Sequence, residues 1–226
     1  MIDIASNLTQ VRAELPAGVR LVAVSKYHPA EAILEAYRAG QRVFGESKAQ
    51  ELQAKHDALP KDIEWHFIGH LQTNKVKYIA PYVALIHSID SPHLLAEVDR
   101  QAAKAGRTVD CLLQMHIARE ETKFGFTPDE CRQYLASGQW QRLAHVRLCG
   151  LMGMATNTDD MRQVRQEFQA LATLFGEVRS EWFAQSPWFK ELSMGMSHDY
   201  HEAIAAGSTL VRIGSHIFGE RNYINP

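Results

Sequence analysis

The chain has 226 residues, 46% of them hydrophobic and 22% charged, with a formal net charge of −2 at pH 7. That length suits two small domains or one α/β barrel, and the weak, interspersed charge gives no field for capturing a polyanion, so nucleic acid is not an expected partner. No stretch reaches the ~18 apolar residues of a membrane span, and Asp3, Arg12 and Glu14 break the N-terminus before it can read as a signal peptide, so neither a membrane association nor export is expected and the expected location is the cytoplasm.

From residue 20 onward, short apolar runs alternate with amphipathic stretches. The strand candidates are 20–26, 42–46, 64–69, 83–90, 109–117, 145–152, 190–195 and 209–214. They are continuous runs more than strict alternations, the pattern of parallel strands covered on both faces. Pro29 and Glu31 open a helix with Ile33, Leu34 and Tyr37 on one face, and Gly40 stops it. Ser47-Lys48-Ala49-Gln50, Ser91-Pro92 and Thr127-Pro128-Asp129-Glu130 are N-cap or capping-box patterns, and Gly106, Gly138 and Gly207 stand where C-caps belong. The longest helix, about 161–182, carries Met161, Val164, Phe168, Leu171, Phe175 and Val178 at spacings of three and four, which fits a coiled coil or an amphipathic helix lying on a barrel. Cys111, Cys131 and Cys149 form no CxxC pair and read as reduced structural thiols.

Eight βα units predict a single (β/α)8 barrel domain over residues 1–226, with a doubly wound open sheet as the alternative. A barrel places its functional groups at the C-terminal ends of the strands. The polar chemistry does gather there, on Lys26, on 45–47, on 66–75, on 116–125, on 193–199 and on Arg212 with 214–221. In the last strand, alternation sends Val211 and Ile213 to one face and Leu210 and Arg212 to the other, so Arg212 points into the barrel mouth. Gly214 and Ser215 then open a helical turn whose N–H groups can receive an anion, with Ser197 at the start of the preceding helix as a further donor. Alternatively, Ser197 is only an N-cap and Gly214 only a turn.

Val22, Val24 and Lys26 share a face of the first strand. If that face lines the barrel, burial and the cationic Arg212 lower the pKa of the Lys26 amine and make it a nucleophile toward an aldehyde; otherwise it is a strand-end lysine reaching for solvent. An amine, a phosphate cradle and an arginine together form the set expected for pyridoxal 5′-phosphate (PLP) held as an internal aldimine.

The motifs AVSK, FGE, WHFIGHLQTNK, EETKFG, GLMGM, LSMGMSHD and AIAAGSTLVRIGSHIFGER resemble, in order and spacing, the pyridoxal phosphate homeostasis proteins of the YggS/PROSC type, over about residues 20–222. The resemblance implies the N-terminal barrel fold of alanine racemase, PLP held covalently by Lys26, phosphate at Ser197, Gly214 and Ser215, and Arg212 against the pyridine nitrogen. It places His66, Ile68, Gly69, Gln72, Asn74 and Lys75, and also Met194, Gly195 and Met196, beside the cofactor. Ser47 and His116 stand near the ring where the family commonly has Asn. Lys123 matches the family without a role that the residues reveal.

Three functions follow as expectations. The first is a non-catalytic, monomeric PLP-binding protein in vitamin B6 homeostasis that hands PLP to apoenzymes, because an arginine on the ring nitrogen weakens the ring as an electron sink and the chain ends without the second domain that completes a racemase site. The second is a weak PLP-dependent racemase or related enzyme. The third is a lyase in which Lys26 attacks a phosphorylated sugar. No metal is expected: His66 and His70, or His198 and Glu202, are four apart but lack the helical HExxH context. Met152, Met154, Met194 and Met196 fit barrel-end packing as well as ring contact.

Overall fold

The computed structural model describes residues 2–119 and 124–220. Eight parallel strands, β1 (Arg20–Val24), β2 (Val43–Glu46), β3 (Glu64–Phe67), β4 (Leu85–Ile89), β5 (Val109–Met115), β6 (Val146–Gly153), β7 (Glu191–Met196) and β8 (Leu210–Ile213), pair in sequence order. They close into a barrel where β8 meets β1, with Arg20 opposite Leu210 and Ala23 opposite Ile213. The open sheet is thereby excluded. Helices α2 (Ala30–Arg38), α3 (Ala49–Ala58), α4 (Val76–Ile79), α5 (Pro92–Lys104), α6 (Pro128–Ala136), α7 (Met161–Trp182) and α8 (Tyr200–Ala205) each follow a strand, and α9 (Ser215–Phe218) follows the last.

Local chemistry accounts for most boundaries. Ser91 caps α5, and Thr127 with Glu130 forms a reciprocal capping box on α6. Gly40, Gly106, Gly138 and Gly207 take φ between 65° and 99° just past helix ends. Ser47 does not cap α3: Lys48 holds the N-cap position without a side-chain bond. Likewise α8 starts at Tyr200 behind Asp199, which leaves Ser197 in the turn before it. Helix α1 (Ile4–Glu14), capped by Asp3, had no distinct signal in the apolar pattern; its Asn7 amide donates to Ile217 O at 3.1 Å.

The strands have two buried faces. Inside the barrel, Val22, Leu85, Leu112, Cys149, Met152 and Leu210 form a small apolar cluster. The larger core lies between strands and helices, where α7 buries Val164, Phe168, Leu171, Leu174 and Val178. At about 1.5–3 kcal/mol per buried side chain, that stripe fixes α7 against the barrel as a packing helix, not a coiled coil. The three cysteines are buried free thiols, and burial pushes Cys131 and Cys149 up to about 12. Among the described residues, no helix is long and apolar enough to cross a membrane.

Candidate functional site

At the C-terminal end of the barrel lies a cleft of about 260 Å³ lined by Val24, Lys26, His28, Ile68, Met154, Met196, Ser197, His198, Arg212, Gly214, Ser215 and Gly219. Its volume lies just below the usual range for ligand sites, roughly 300–1,000 Å³. Strand β1 delivers Lys26 as expected: Val22 joins the inner cluster, Val24 lines the cleft, and Lys26 follows half-buried in the turn beyond the strand. Strand β8 delivers Arg212 in the same way, with Leu210 in the inner cluster and Val211 and Ile213 in the outer core.

Arg212 is 4% exposed and donates to Ser193 Oγ at 2.5 Å and to Gly153 O at 3.1 Å. Burial lowers its pKa to about 10, opposed by the negative charge of Asp199, so the guanidinium stays protonated at neutral pH. Asp199 is itself held by the Met196 N–H at 2.6 Å.

A bulge brings Met196 to the cleft. Ser193 pairs with Leu210 and Met196 with Arg212, three steps on β7 against two on β8. Gly195 absorbs the extra residue at φ +95°, so the inward parity passes from Ser193 to Met196, while Met194 packs in the outer core. The expected methionine cluster therefore divides, with Met152 inside the barrel, Met154 and Met196 on the cleft, and Met194 behind the sheet.

On the far side of the cleft, Ser197 Oγ accepts the Gly214 N–H at 3.2 Å and ties the β7 turn to the start of α9. The first-turn N–H groups of a helix lack intrahelical acceptors, so Ser215 and the Ser197 hydroxyl proton offer donors where they line the cleft.

Several residues expected beside the cofactor do not line this cleft. Ser47 lines a separate cleft with Lys48, His70, Gln72 and Lys75. Asn74 is exposed on a short 3-10 turn, Thr73–Lys75. His66 is fully buried inside the barrel, below the cleft. Gly69 does have a role by packing: a Cβ there would lie 2.3 Å from Ser47 O. His116 is half-buried after β5, its N–H bonded to Phe126 O at 2.9 Å. Lys123 and the adjoining residues 120–122 lie outside the described residues. His28 lines the cleft without having been singled out, and it stacks on Phe218 at 5.1 Å between ring centroids; Met154 and His198 line the cleft as well.

Behind Arg212 a hydrogen-bonded chain descends through the barrel. Ser193 Oγ lies 2.9 Å from His87 Nδ1, His87 Nε2 lies 2.9 Å from His66 Nδ1, and His66 Nε2 lies 3.0 Å from Glu64 Oε1. Arg20 donates to the same Glu64 oxygen at 2.6 Å. The hydrogen bond from His66 holds Glu64 down to about 2, with Arg20 adding to it and burial opposing. Burial lowers the pKa of both histidines, which keeps the imidazoles neutral at physiological pH.

The alanine racemase N-terminal domain family matches residues 2–222. The pyridoxal phosphate homeostasis protein of Aquifex aeolicus is 41% identical over 205 residues, covering 90% of this chain and 88% of its own length. The chain belongs to the pyridoxal phosphate homeostasis protein family. Among solved structures of the family, PipY of Synechococcus elongatus PCC7942 is 39% identical and superposes with TM-scores of 0.88 without PLP and 0.84 with PLP bound, covering 96% of this chain and 100% of PipY in each case. The family barrel, and the racemase-type fold it implies, are those seen here.

Proposed function

We infer that this chain binds PLP in the barrel-mouth cleft and acts in the homeostasis of that cofactor. The observation that carries the reading is the convergence in one cleft of the Lys26 amine, the Arg212 guanidinium and the Ser197–Gly214–Ser215 turn. The donor set fits: an amine for the aldehyde, hydroxyl and amide donors for the phosphate, a cation for the pyridine nitrogen, and Val24, Ile68, Met154 and Met196 for the ring faces. When bound, PLP supplies a reactive aldehyde and a conjugated ring that can withdraw electrons. Lys26 would hold the aldehyde end through its amine, whose nitrogen lone pair is the nucleophile such a carbonyl requires. Ser197, Ser215 and the Gly214 turn orient the phosphate end.

Arg212 favours a holding role over catalysis. It can only donate, and Ser193 and Gly153 already fix its plane, so a ring nitrogen facing it would have to accept and would be held unprotonated. That weakens electron withdrawal by the ring without abolishing it, which accords with a holding role. The same proposal places the protein in the cytoplasm as a monomer that passes PLP to PLP-dependent apoenzymes.

The test is a visible spectrum of the PLP-loaded protein before and after borohydride, followed by mass mapping of the fixed adduct. Label at Lys26 is expected, and label on another residue overturns the site. Sustained turnover of an amino acid, lost in Lys26→Ala, would replace the holding role with the enzymatic one.

A further inference from the structure

Outside the cleft, the main chain that carries Lys26 is anchored from behind. Tyr27 takes φ +67°, the one positive φ at a non-glycine among the described residues. A left-handed residue with a Cβ costs roughly 1–2 kcal/mol and persists only where neighbours over-determine it. The neighbours are ionic. Lys55 on α3, 7% exposed, directs its ammonium to three acceptors: Ser25 O at 2.9 Å, Glu46 Oε1 at 2.7 Å and Glu51 Oε1 at 2.7 Å. Three donors meet three acceptors, so the ammonium is saturated. Ser25 Oγ donates to Glu46 Oε1 at 2.6 Å, and the Tyr27 N–H donates to Glu51 Oε1 at 2.7 Å.

The residues before and after Lys26 are thus both bound to one ionic cluster on the outer side of the sheet, buried at Glu46 and Lys55 and partly exposed at Glu51. Their anchoring leaves the Lys26 side chain on the inner side, in the cleft.

We propose that Lys55, Glu46 and Glu51 form an ionic clamp that positions Lys26 for PLP capture, with Lys55 and Glu51 as positioning residues. The proposal rests on the reading of Lys26 as the PLP amine. None of the three lines the cleft. They act through the Ser25–Tyr27 backbone: Lys55 and Glu46 fix its entry, and Glu51 fixes its exit in the left-handed conformation. A charged clamp on α3 suits this better than an apolar contact, because charge-assisted hydrogen bonds hold backbone groups at defined distances.

The experiment follows the rate of PLP capture by stopped-flow absorbance in the full-length protein, with melting midpoints measured alongside and the adduct mapped after borohydride. Glu51→Ala leaves Lys55 with Glu46 and Ser25 but releases the Tyr27 N–H; capture is expected to slow about tenfold, the size of one lost charge-assisted hydrogen bond. Glu51→Gln keeps an acceptor oxygen and is expected to capture within about twofold of the wild type by the same reasoning. Adding Tyr27→Gly to Glu51→Ala is expected to recover most of the rate, since glycine adopts the turn without the clamp. Lys55→Met is expected to slow capture at least as much as Glu51→Ala; if it does not fold, the Glu51 series carries the test. Wild-type capture by Glu51→Ala, with wild-type label mapped to Lys26, would overturn the clamp and leave the PLP site standing. Wild-type label elsewhere would overturn the PLP site itself.

Discussion

Arg212 Nη1 and Ser193 Oγ lie 2.5 Å apart, and this contact sets the direction of the hydrogen bonds behind it. Arginine only donates, so Ser193 accepts and is free to pass its own proton to His87 Nδ1. A neutral His87 then carries its hydrogen on Nε2 and donates to His66 Nδ1, and His66 donates from Nε2 to the ionised Glu64. With a donor-only group at one end and a carboxylate at the other, each link has one consistent orientation. Nitrogen-15 spectra should show both imidazoles as the Nε2–H tautomer at neutral pH. Ser193→Ala leaves His87 Nδ1 and an Arg212 N–H without a partner in a buried site, so it should cost about 1–3 kcal/mol in denaturant unfolding. A Nδ1–H signal from either histidine would reverse the chain.

How legible this was differs by residue. Lys26 and Arg212 were readable because each ends or punctuates a strand whose period-two pattern names its inward face, and that face depends on a few neighbours only. The caps at Ser91 and Thr127 were readable for the same local reason. His87 was not singled out, because β4 is buried at every position and its run alone names no inward side. That it meets His66 on one side and Ser193 on the other depends on strand-to-strand register, which no single run encodes. Met196 was placed near the cofactor by family resemblance and does line the cleft, but the cause is the bulge at Gly195, which apolar periodicity does not show. Ser47 was expected to cap α3 and to border the ring, yet it does not cap α3 and it lines a neighbouring cleft, because Gly69 lets the two loops pack backbone to backbone.

The same bulge gives a steric prediction. A Cβ on Gly195 would lie 2.6 Å from Ala203 Cβ and 2.9 Å from Tyr200 Cα, at a backbone angle of +95°. Neither obstacle is the free end of a flexible side chain. Gly195→Ala should therefore cost roughly 2 kcal/mol or more by combined strain and overpacking. Relaxation would shift Met196 and weaken PLP binding as well. Thermal unfolding with a PLP titration checks both; an unchanged midpoint would mean that β7 and α8 can separate freely here.

Stability should depend on pH through groups of opposite sign. Burial pushes the Glu46 carboxyl up to about 7, against the pull of Lys55 and Ser25. The folded state thus takes up this proton before the unfolded chain does, and the resulting stabilisation is complete below the ordinary value of 4.5 and lost as pH rises through 7. His66 and His87 are held below 6.5 by burial, so their contribution is present above 6.5 and lost as pH falls. Between about pH 6.5 and 4.5 the two trends oppose. Glu46→Gln deletes the first alone, and its stability should fall more steeply with acid than the wild type's, by about 1.4 kcal/mol per pH unit. Denaturant melts from pH 5 to 8 check it; a difference between the two proteins that ignores pH would show that Glu46 keeps one protonation state throughout.

The proposed function puts Ser197 at the phosphate end of the cleft and Lys26 at the aldehyde end. Its Oγ already accepts the Gly214 N–H at 3.2 Å, which leaves its hydroxyl proton to donate into the cleft. Ser197→Ala removes that donor and loosens the turn that presents Ser215, while Lys26 on the opposite side of the barrel closure is untouched. PLP affinity should fall about tenfold, the upper range for one hydrogen bond and larger if the bond is to a charged phosphate. Pyridoxal, which offers the same aldehyde and ring without the phosphate, should bind the variant and the wild type alike. Parallel titrations with the two compounds decide the matter. Equal losses for both would move the phosphate away from Ser197, and no loss for either would leave Ser197 as a turn residue only.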